Sequence, residues 1–358
     1  MVEVPASERA CSPQATPEWE QAPRDRLDRF CFIVGCGRSG TTLLRAMLDA
    51  HPMLAVPYES HWVVAHARRR RVYERGGGFD VDAFCADLAT DERFARWDVP
   101  IGELARSLRD DPVATYPDAV RRVYAIYAAR RGKPRYANKT GKYVLRIPEL
   151  VGMFPEAVFV HLIRDGRNVA LSRRAVAWGS DRFDEAVLSW REQVRAARRA
   201  ARRLGLSPDR YLEVRYEHLV TDPEEVARRV CGFLHLDFDP CMLDTSAKAD
   251  EIIGQVLDPA EHQNLRLPPT PGLRDWRAEM TPREVALFEA LAGGTLADFG
   301  YVRGEPPGVG VRAEAWLRAA RRQGGVAVSR LRSWVWWRLH PDGEAPPPDA
   351  GQVSNRTP

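Results

Sequence analysis

The stretch of sequence that decides the fold runs from residue 30 to residue 44 and reads Phe30-Cys31-Phe32-Ile33-Val34-Gly35-Cys36-Gly37-Arg38-Ser39-Gly40-Thr41-Thr42-Leu43-Leu44. Its first five residues are apolar, which is typical of a central parallel strand covered on both faces. The glycine-rich turn leads into apolar residues at helical spacing, so we expect a helix over 40–50. A strand, a glycine-rich turn and a helix N-terminus aim backbone N–H groups at one place, and this arrangement suits a phosphate group.

One residue of the phosphate loop departs from the usual pattern. The loop of a nucleoside-triphosphate enzyme carries lysine directly after its second glycine, followed by serine or threonine. Here Gly35 and Gly40 have the required spacing, but Thr41 occupies the lysine position and Thr42 follows it. The loop therefore predicts a phosphate ester other than a triphosphate.

The composition is that of an ordinary globular chain. It has 358 residues, of which 44% are hydrophobic and 28% are charged, with a formal net charge of +4. This mild charge argues against a nucleic-acid partner and fits a local anion site. The six cysteines include no Cys-x-x-Cys pair and no cluster with histidine at zinc spacing, so we expect reduced thiols and no metal.

The sequence gives no signal for secretion or for crossing a membrane. Residues 1–28 are rich in proline, alanine and charge, and they predict a disordered arm without a secretory signal. No uncharged apolar run reaches about 18 residues, so no transmembrane segment is expected. Together with the reduced thiols, these features predict a cytoplasmic protein.

Strands and helices alternate along the chain. Apolar runs predict strands at 158–163 and 211–214, a long helix over 183–204, and mostly helical structure over 59–131. The alternation predicts an α/β protein with a P-loop NTPase-like fold, a mostly parallel central sheet and helices on both faces. Ligands of such sheets bind at the carboxyl ends of the strands, where the loop and Arg164 both lie.

The last part of the chain differs in composition from the rest. We expect one domain over residues 29–303 and a basic extension, rich in tryptophan and proline, over 304–358. Two interpretations of this extension stay open. One is contact with a membrane surface or a partner, and the other is packing of an amphipathic helix on the domain.

Once these segments are joined, the chain resembles the sulfotransferases that use 3′-phosphoadenosine-5′-phosphosulfate, and within them the tyrosylprotein-sulfotransferase-like branch. Residues 38–52, which begin Arg38-Ser39-Gly40-Thr41-Thr42, carry the longest match. Further segments follow in the family's order: Glu59, Asn138-Lys139, Arg164-Asp165-Gly166-Arg167 with Ser172, and Arg215-Tyr216-Glu217. The resemblance spans residues 30–301 and implies transfer of a sulfonate group to an acceptor hydroxyl.

The resemblance implies where the two ends of the donor bind. The 5′-phosphosulfate is expected on the first loop, at Arg38, Ser39, Gly40, Thr41 and Thr42. Arg164 and Ser172 match the pair that holds the 3′-phosphate. A guanidinium fork and a hydroxyl suit a phosphate monoester, so the chemistry of this pair agrees with the resemblance.

Other matched positions are expected near the nucleotide. Tyr216 follows a predicted strand and matches a position beside the nucleotide, with a half-buried packing tyrosine as the open alternative. Arg266 and Arg274 lie in a stretch similar to the late segment that closes over the nucleotide in the family.

The resemblance also implies the catalytic groups. Glu59 matches the proposed base, which would accept the proton of the acceptor hydroxyl, and His61 is the rival base two residues away. Lys139, with Lys142 close by, matches the lysine that stabilises charge on the departing oxygen. Arg38 is expected to help stabilise the leaving phosphate, and no metal is required.

Two other functions compete with sulfonate transfer. The first is a P-loop nucleotide kinase or NTPase, against which Thr41 argues. The second is a non-catalytic nucleotide-binding protein, which would gain if Glu59 or Lys139 lay far from the loop. The acceptor is left open as a small molecule, a lipid, a sugar or a peptide tyrosine.

Overall fold

The computed structural model describes residues 29–174, 182–256, 259–267, 269–272 and 274–339. The predicted arm over 1–28 and the end of the extension over 340–358 lie outside the described residues.

A sheet of five parallel strands organises the described residues. The strands are β1 Cys31–Gly35, β2 Leu54–Ala55, β3 Arg135–Lys139, β4 Val158–Ile163 and β5 Tyr211–Arg215. Their order across the sheet is β2-β3-β1-β4-β5, and every neighbouring pair is parallel. The apolar run of the phosphate loop therefore forms the central strand, with Ile33 opposite Lys139 of β3 and Val160 of β4.

Fifteen α-helices in the described residues connect and cover these strands. They are α1 Thr41–Ala50, α2 Trp62–His66, α3 Arg70–Tyr73, α4 Val81–Ala89, α5 Ile101–Asp110, α6 Tyr116–Ala129, α7 Ile147–Met153, α8 Gly166–Arg174, α9 Phe183–Arg203, α10 Tyr216–Thr221, α11 Pro223–Leu234, α12 Ser246–Gln255, α13 Trp276–Glu279, α14 Pro282–Asp298 and α15 Val309–Leu339. Short 3-10 helices lie at Ala67–Arg69, Phe94–Trp97, Gly141–Leu145, Pro240–Leu243 and Pro259–Arg266.

The alternation of side chains along β1 divides the core into two layers. Phe30 and Phe32 point into an aromatic cluster built mainly from the helices between β2 and β4, which includes Trp62 and Tyr124. Cys31 and Ile33 point to the opposite face, where α1 and α11 cover the sheet. The predicted fold class is confirmed, because a parallel sheet carries helices on both faces.

A third apolar cluster lies beyond the carboxyl end of β4. Ile163 packs there with Trp190 of α9 and Phe288 of α14. The first part of α15 joins this cluster through Ala315, and Arg318 of α15 pairs with Asp184 of α9 at 3.2 Å. The described beginning of the extension therefore packs on the domain as a helix. No helix among the described residues is long and apolar enough to cross a membrane.

Gly35 marks a point where β1 and β4 approach too closely for a side chain. A Cβ atom at Gly35 would lie 2.6 Å from the carbonyl oxygen of Leu162 and 3.1 Å from Cγ2 of Thr41. We predict that Gly35→Ala lowers the free energy of unfolding by about 1–3 kcal/mol, because backbone rather than a flexible side chain must move. Urea denaturation measures this change.

Gly152 is the matched control. It lies in α7 with open space around the position of a Cβ atom. Gly152→Ala should leave stability unchanged or raise it by up to about 1 kcal/mol. Equal effects of the two substitutions would contradict the close approach at Gly35.

Candidate active site

The loop between β1 and α1 is shaped for an anion. Arg38 and Gly40 both have left-handed backbone, with φ of 73° and 89°. The Ser39 N–H group donates to the carbonyl of Cys36 at 3.1 Å, which closes the turn just before α1 begins at Thr41. Left-handed backbone at a non-glycine residue is uncommon and is often found at functional sites. The turn directs the first N–H groups of α1 towards the loop.

Tyr216 fixes the loop from the β5 side. A Cβ atom at Gly40 would lie 2.4 Å from the Tyr216 ring, so only glycine fits beneath that ring. The guanidinium of Arg164 lies over the same ring, 4.2 Å from its centroid. Tyr216 therefore contacts two parts of the predicted donor site, the loop and the end of β4.

Three predicted phosphate ligands converge beside this loop. Arg164 follows β4 and donates from NH1 to the carbonyl of Arg38 at 3.2 Å. Ser172, in α8, accepts a hydrogen bond from Nε of Arg38 at 3.1 Å. The Arg38 side chain thus lies with the predicted 3′-phosphate pair, although the sequence assigned Arg38 to the 5′ end of the donor.

Buried polar atoms in this cluster lack hydrogen-bond partners. The Oγ atom of Ser39 and the Nε atom of Arg164 are both buried without one, and the two residues are 0% and 7% exposed. A buried donor without a partner costs free energy unless something binds it. An anion with several oxygen atoms would satisfy both groups.

The predicted catalytic residues meet at the end of β3. Nζ of Lys139 lies 3.0 Å from Oε1 of Glu59 and 3.5 Å from Oγ1 of Thr42. Nε2 of His61 lies 3.2 Å from the other oxygen of Glu59, Oε2. Lys139 is buried, at 3% side-chain exposure, whereas Glu59 keeps 26%. Lys139 therefore stands between the carboxylate and the phosphate loop.

The charges of this pair shift both pKa values. Burial raises the pKa of Glu59, but the Lys139 ammonium and the hydrogen bond from His61 outweigh burial and hold that pKa well below its ordinary value. Burial lowers the pKa of Lys139, and the Glu59 carboxylate opposes part of this change. The carboxylate is consequently ionised at neutral pH, which is the form that a general base requires.

The two arginines that were expected near the nucleotide, Arg266 and Arg274, do not join the site. Arg266 is exposed, and its NH2 atom pairs with Asp250 of α12 at 2.8 Å. Arg274 pairs instead with Glu279 of α13 at 3.2 Å. Asp250 and Glu279 therefore pair with these two guanidinium groups outside the cluster around the phosphate loop.

Sequence reasoning missed His262, which lies in the 3-10 helix Pro259–Arg266. Burial lowers the pKa of His262 to about 4, and the positive charges of Lys139 and Arg38 add to this shift while Glu59 opposes it. The imidazole is therefore within electrostatic reach of both halves of the site. A lone histidine in a loop-like stretch gives no signal in the sequence that could have revealed this.

The parallel sheet, the glycine-rich anion loop before α1 and the buried cations around that loop define an α/β protein of the P-loop-like class. Residues 31–240 match a family model described as "Sulfotransferase family", and the chain belongs to this family. The family predicted from the sequence is confirmed.

Similar proteins include the protein-tyrosine sulfotransferase of Drosophila melanogaster, which is 26% identical over 312 residues. That match covers 80% of this chain and 54% of the Drosophila protein, so the chain spans about half the length of this relative. Nodulation protein NoeE of Sinorhizobium fredii is 27% identical over 359 residues, covering 92% of this chain and 78% of that protein.

Comparison with solved structures supports the fold. The sulfotransferase domain from the curacin biosynthetic pathway superposes with a TM-score of 0.53 at 20% identity. The superposition covers 78% of this chain and 100% of that domain.

The ion pair at the end of β3 makes a testable prediction about the Glu59 carboxyl group. In Lys139→Met the pKa of Glu59 should rise, because burial then acts with only His61 to oppose it. Carbon-13 NMR of glutamate-labelled protein measures this pKa directly. Because the pKa is depressed in the fold, the carboxylate stabilises the protein above its ordinary pKa, and this stability is lost as pH falls through the folded pKa. In Lys139→Met the free energy of unfolding should therefore depend less on pH over this acidic range.

The neighbouring Lys142→Met is the comparison, because Lys142 is exposed and also feels the charge of Glu59, so it should shift the pKa of Glu59 less than Lys139→Met does. A pKa of Glu59 that shifts equally in both variants, or in neither, would contradict the assignment of Lys139 as its main partner.

Proposed function

We propose that this sulfotransferase transfers the sulfonate group of 3′-phosphoadenosine-5′-phosphosulfate to a hydroxyl group of its acceptor. The observation that carries the proposal is the convergence of Arg164, Ser172 and Arg38 on one side of an anion loop that lacks the lysine of a triphosphate site. A donor with a separate phosphate at its 3′ position suits this arrangement, whereas a nucleoside triphosphate does not.

The 3′-phosphate would bind Arg164, Ser172 and Arg38. Arg164 lies at the end of β4, and its buried Nε atom has no other hydrogen-bond partner. Ser172 adds a hydroxyl from α8, and Arg38 adds a second guanidinium. Two guanidinium groups match the double charge of a phosphate monoester better than one.

The 5′ end of the donor would bind the N-terminus of α1 and the hydroxyls of Ser39, Thr41 and Thr42. A triphosphate loop supplies an ammonium from the position of Thr41. Here Lys139 supplies one from the neighbouring strand, 3.5 Å from the Thr42 hydroxyl. Lys139 would thus supply the positive charge that a lysine of the loop supplies in a triphosphate site, although it comes from a different part of the sequence.

Glu59 and Lys139 would then divide the chemistry. As the acceptor oxygen forms its bond to sulfur, Glu59 accepts the proton of the hydroxyl. Lys139 donates a hydrogen bond to the bridging oxygen as the sulfur–oxygen bond breaks. The products are a sulfate ester and adenosine 3′,5′-bisphosphate. Because the Lys139 ammonium already balances the developing charge, we assign no metal to this step.

The acceptor is a compound with a free hydroxyl. The relative from Drosophila is named a protein-tyrosine sulfotransferase, so tyrosine-containing peptides come first among the acceptors to be screened. Small phenols, sugars and lipids complete the panel, with gain of a sulfonate group followed by mass spectrometry.

Nucleotide preference tests the donor assignment. By calorimetry without Mg²⁺, adenosine 3′,5′-bisphosphate should bind more tightly than ADP. Arg164→Ala should weaken the bisphosphate by about 10- to 100-fold, which is typical of losing a charge-assisted hydrogen bond, and should leave ADP little changed.

Arg174→Ala is the matched control, since Arg174 lies two residues after Ser172 but is exposed and pairs with Glu284. Equal affinities for ADP and the bisphosphate would overturn the 3′-phosphate assignment. Tight binding of ATP that needs Mg²⁺ would favour an NTPase instead.

The identity of the base is tested by two substitutions of neighbouring side chains. Glu59→Gln should retain affinity for the bisphosphate but lose about 10²- to 10⁴-fold in turnover, since the amide accepts no proton. His61→Gln should have a much smaller effect, because His61 contacts Glu59 on the oxygen that does not face Lys139. Full activity of Glu59→Gln together with an inactive His61→Gln would move the role to His61.

A further inference from the structure

Ser60 lies between Glu59 and His61, and all of its polar groups are bonded to buried partners. Its N–H group donates to Oγ1 of Thr140 at 3.0 Å. Its hydroxyl oxygen accepts from the Tyr124 hydroxyl at 2.8 Å, and its carbonyl accepts from the Tyr143 hydroxyl. Ser60 itself is 0% exposed. The residue is therefore held on three sides, although it belongs to a segment without helix or strand.

The other side of this cluster comes from β3 and from the residue that follows it. Asn138 and Thr140 flank Lys139, and both are buried. The amide nitrogen of Asn138 contacts the hydroxyls of Ser60 and Tyr124. Because successive side chains of a strand point to opposite faces, β3 turns Lys139 towards the loop and Asn138 towards the aromatic core.

A polar cluster in this position costs free energy of folding. It lies within an apolar core whose aromatic rings pack closely, with Trp97 and Tyr124 at 4.9 Å between ring centroids. Buried hydroxyls and amides cost free energy unless they are fully bonded, and Oδ1 of Asn138 is buried without a partner. Apolar side chains would fill this space at lower cost, so stability alone does not account for the cluster.

We propose that Ser60, Asn138 and Thr140 are positioning residues, which lock the Glu59 segment onto β3 and so hold the Glu59 carboxylate against the Lys139 ammonium. The inference rests on the proposed function for the roles of Glu59 and Lys139. Its physical basis is that Glu59 lies on an irregular segment and Lys139 on a strand, so their 3.0 Å contact needs a link between the two backbones. The bond from the Ser60 N–H group to Thr140 is that link, and a displacement of about 1 Å can cost about 10²-fold in rate.

Two nearly isosteric substitutions test the inference. Thr140→Val removes the acceptor of the Ser60 N–H group, and Tyr124→Phe removes one of the two donors to the Ser60 hydroxyl, leaving Asn138. Each should lower kcat by about 10- to 100-fold, while the affinity for adenosine 3′,5′-bisphosphate changes less than about 2-fold. In both variants the pKa of Glu59, followed by carbon-13 NMR, should rise because the Lys139 ammonium lies farther away.

Tyr73→Phe is the matched control. Tyr73 is also a fully buried tyrosine of the aromatic core, but its hydroxyl donates to Asp87 and not to the Ser60 cluster. Removal of the Tyr73 hydroxyl should lower Tm by about as much as Thr140→Val and Tyr124→Phe do, and should leave kcat and the pKa of Glu59 unchanged. If kcat falls in proportion to Tm in all three variants, or if the pKa of Glu59 does not move in Thr140→Val, the positioning role is overturned.

A further variant separates this inference from the proposed function. In a Glu59→Gln background, Thr140→Val should cause no additional loss of turnover, because it acts through the carboxylate. If the wild-type protein neither binds the bisphosphate nor transfers a sulfonate group, the proposed function fails. The NMR measurement then still decides whether Thr140 controls the contact between Glu59 and Lys139.

Discussion

The parallel pairing of β1 with β3 is the constraint on which the site depends. It sets Ile33 opposite Lys139, so the strand that leads into the phosphate loop and the strand that ends in the buried lysine finish side by side. The pairing of β1 with β4 brings Arg164 to the same edge from the other side. Two cationic groups from separate parts of the chain thereby flank the loop that carries Arg38, as expected at the carboxyl ends of parallel strands.

The electrostatics of the site follow from that geometry. Lys139 and Arg164 are both buried, and a buried cation is costly unless an opposite charge or a bound anion compensates it. Glu59 compensates Lys139, whereas Arg164 has the Tyr216 ring and the carbonyl of Arg38. In the proposed function, the second phosphate of the donor would bind on this Arg164 side, where Nε of Arg164 is buried without a hydrogen-bond partner.

The sequence predicted the parts of this architecture that local patterns encode. The apolar runs of β1 and β4 and the glycine-rich turn were visible because each is a continuous signal. The strand β3 was not, since Arg135–Lys139 is largely polar and is a strand only through its pairing with β1 and β2. The direction of the Arg38 side chain towards Ser172 is likewise a property of the folded loop.

Residues that act through tertiary contacts were beyond sequence reasoning for the same reason. His262 enters the electrostatic surroundings of Lys139 only in the folded chain, where Leu265 of the same 3-10 helix shares an apolar cluster with Ala46 of α1. Arg266, four residues after His262, pairs with Asp250 instead. The sequence does not show which of His262 and Arg266 faces the site, because this depends on the direction of each side chain in the folded chain.

The central claim is that the two ends of one nucleotide are bound by different parts of this loop region. A crystal structure of the complex with adenosine 3′,5′-bisphosphate tests it most directly. We expect the 3′-phosphate on Arg164, Ser172 and Arg38, with the 5′-phosphate at the N-terminus of α1 beside Lys139. A nucleotide bound in the reverse direction, or with its 3′-phosphate away from Arg164, would contradict this assignment of the two phosphates.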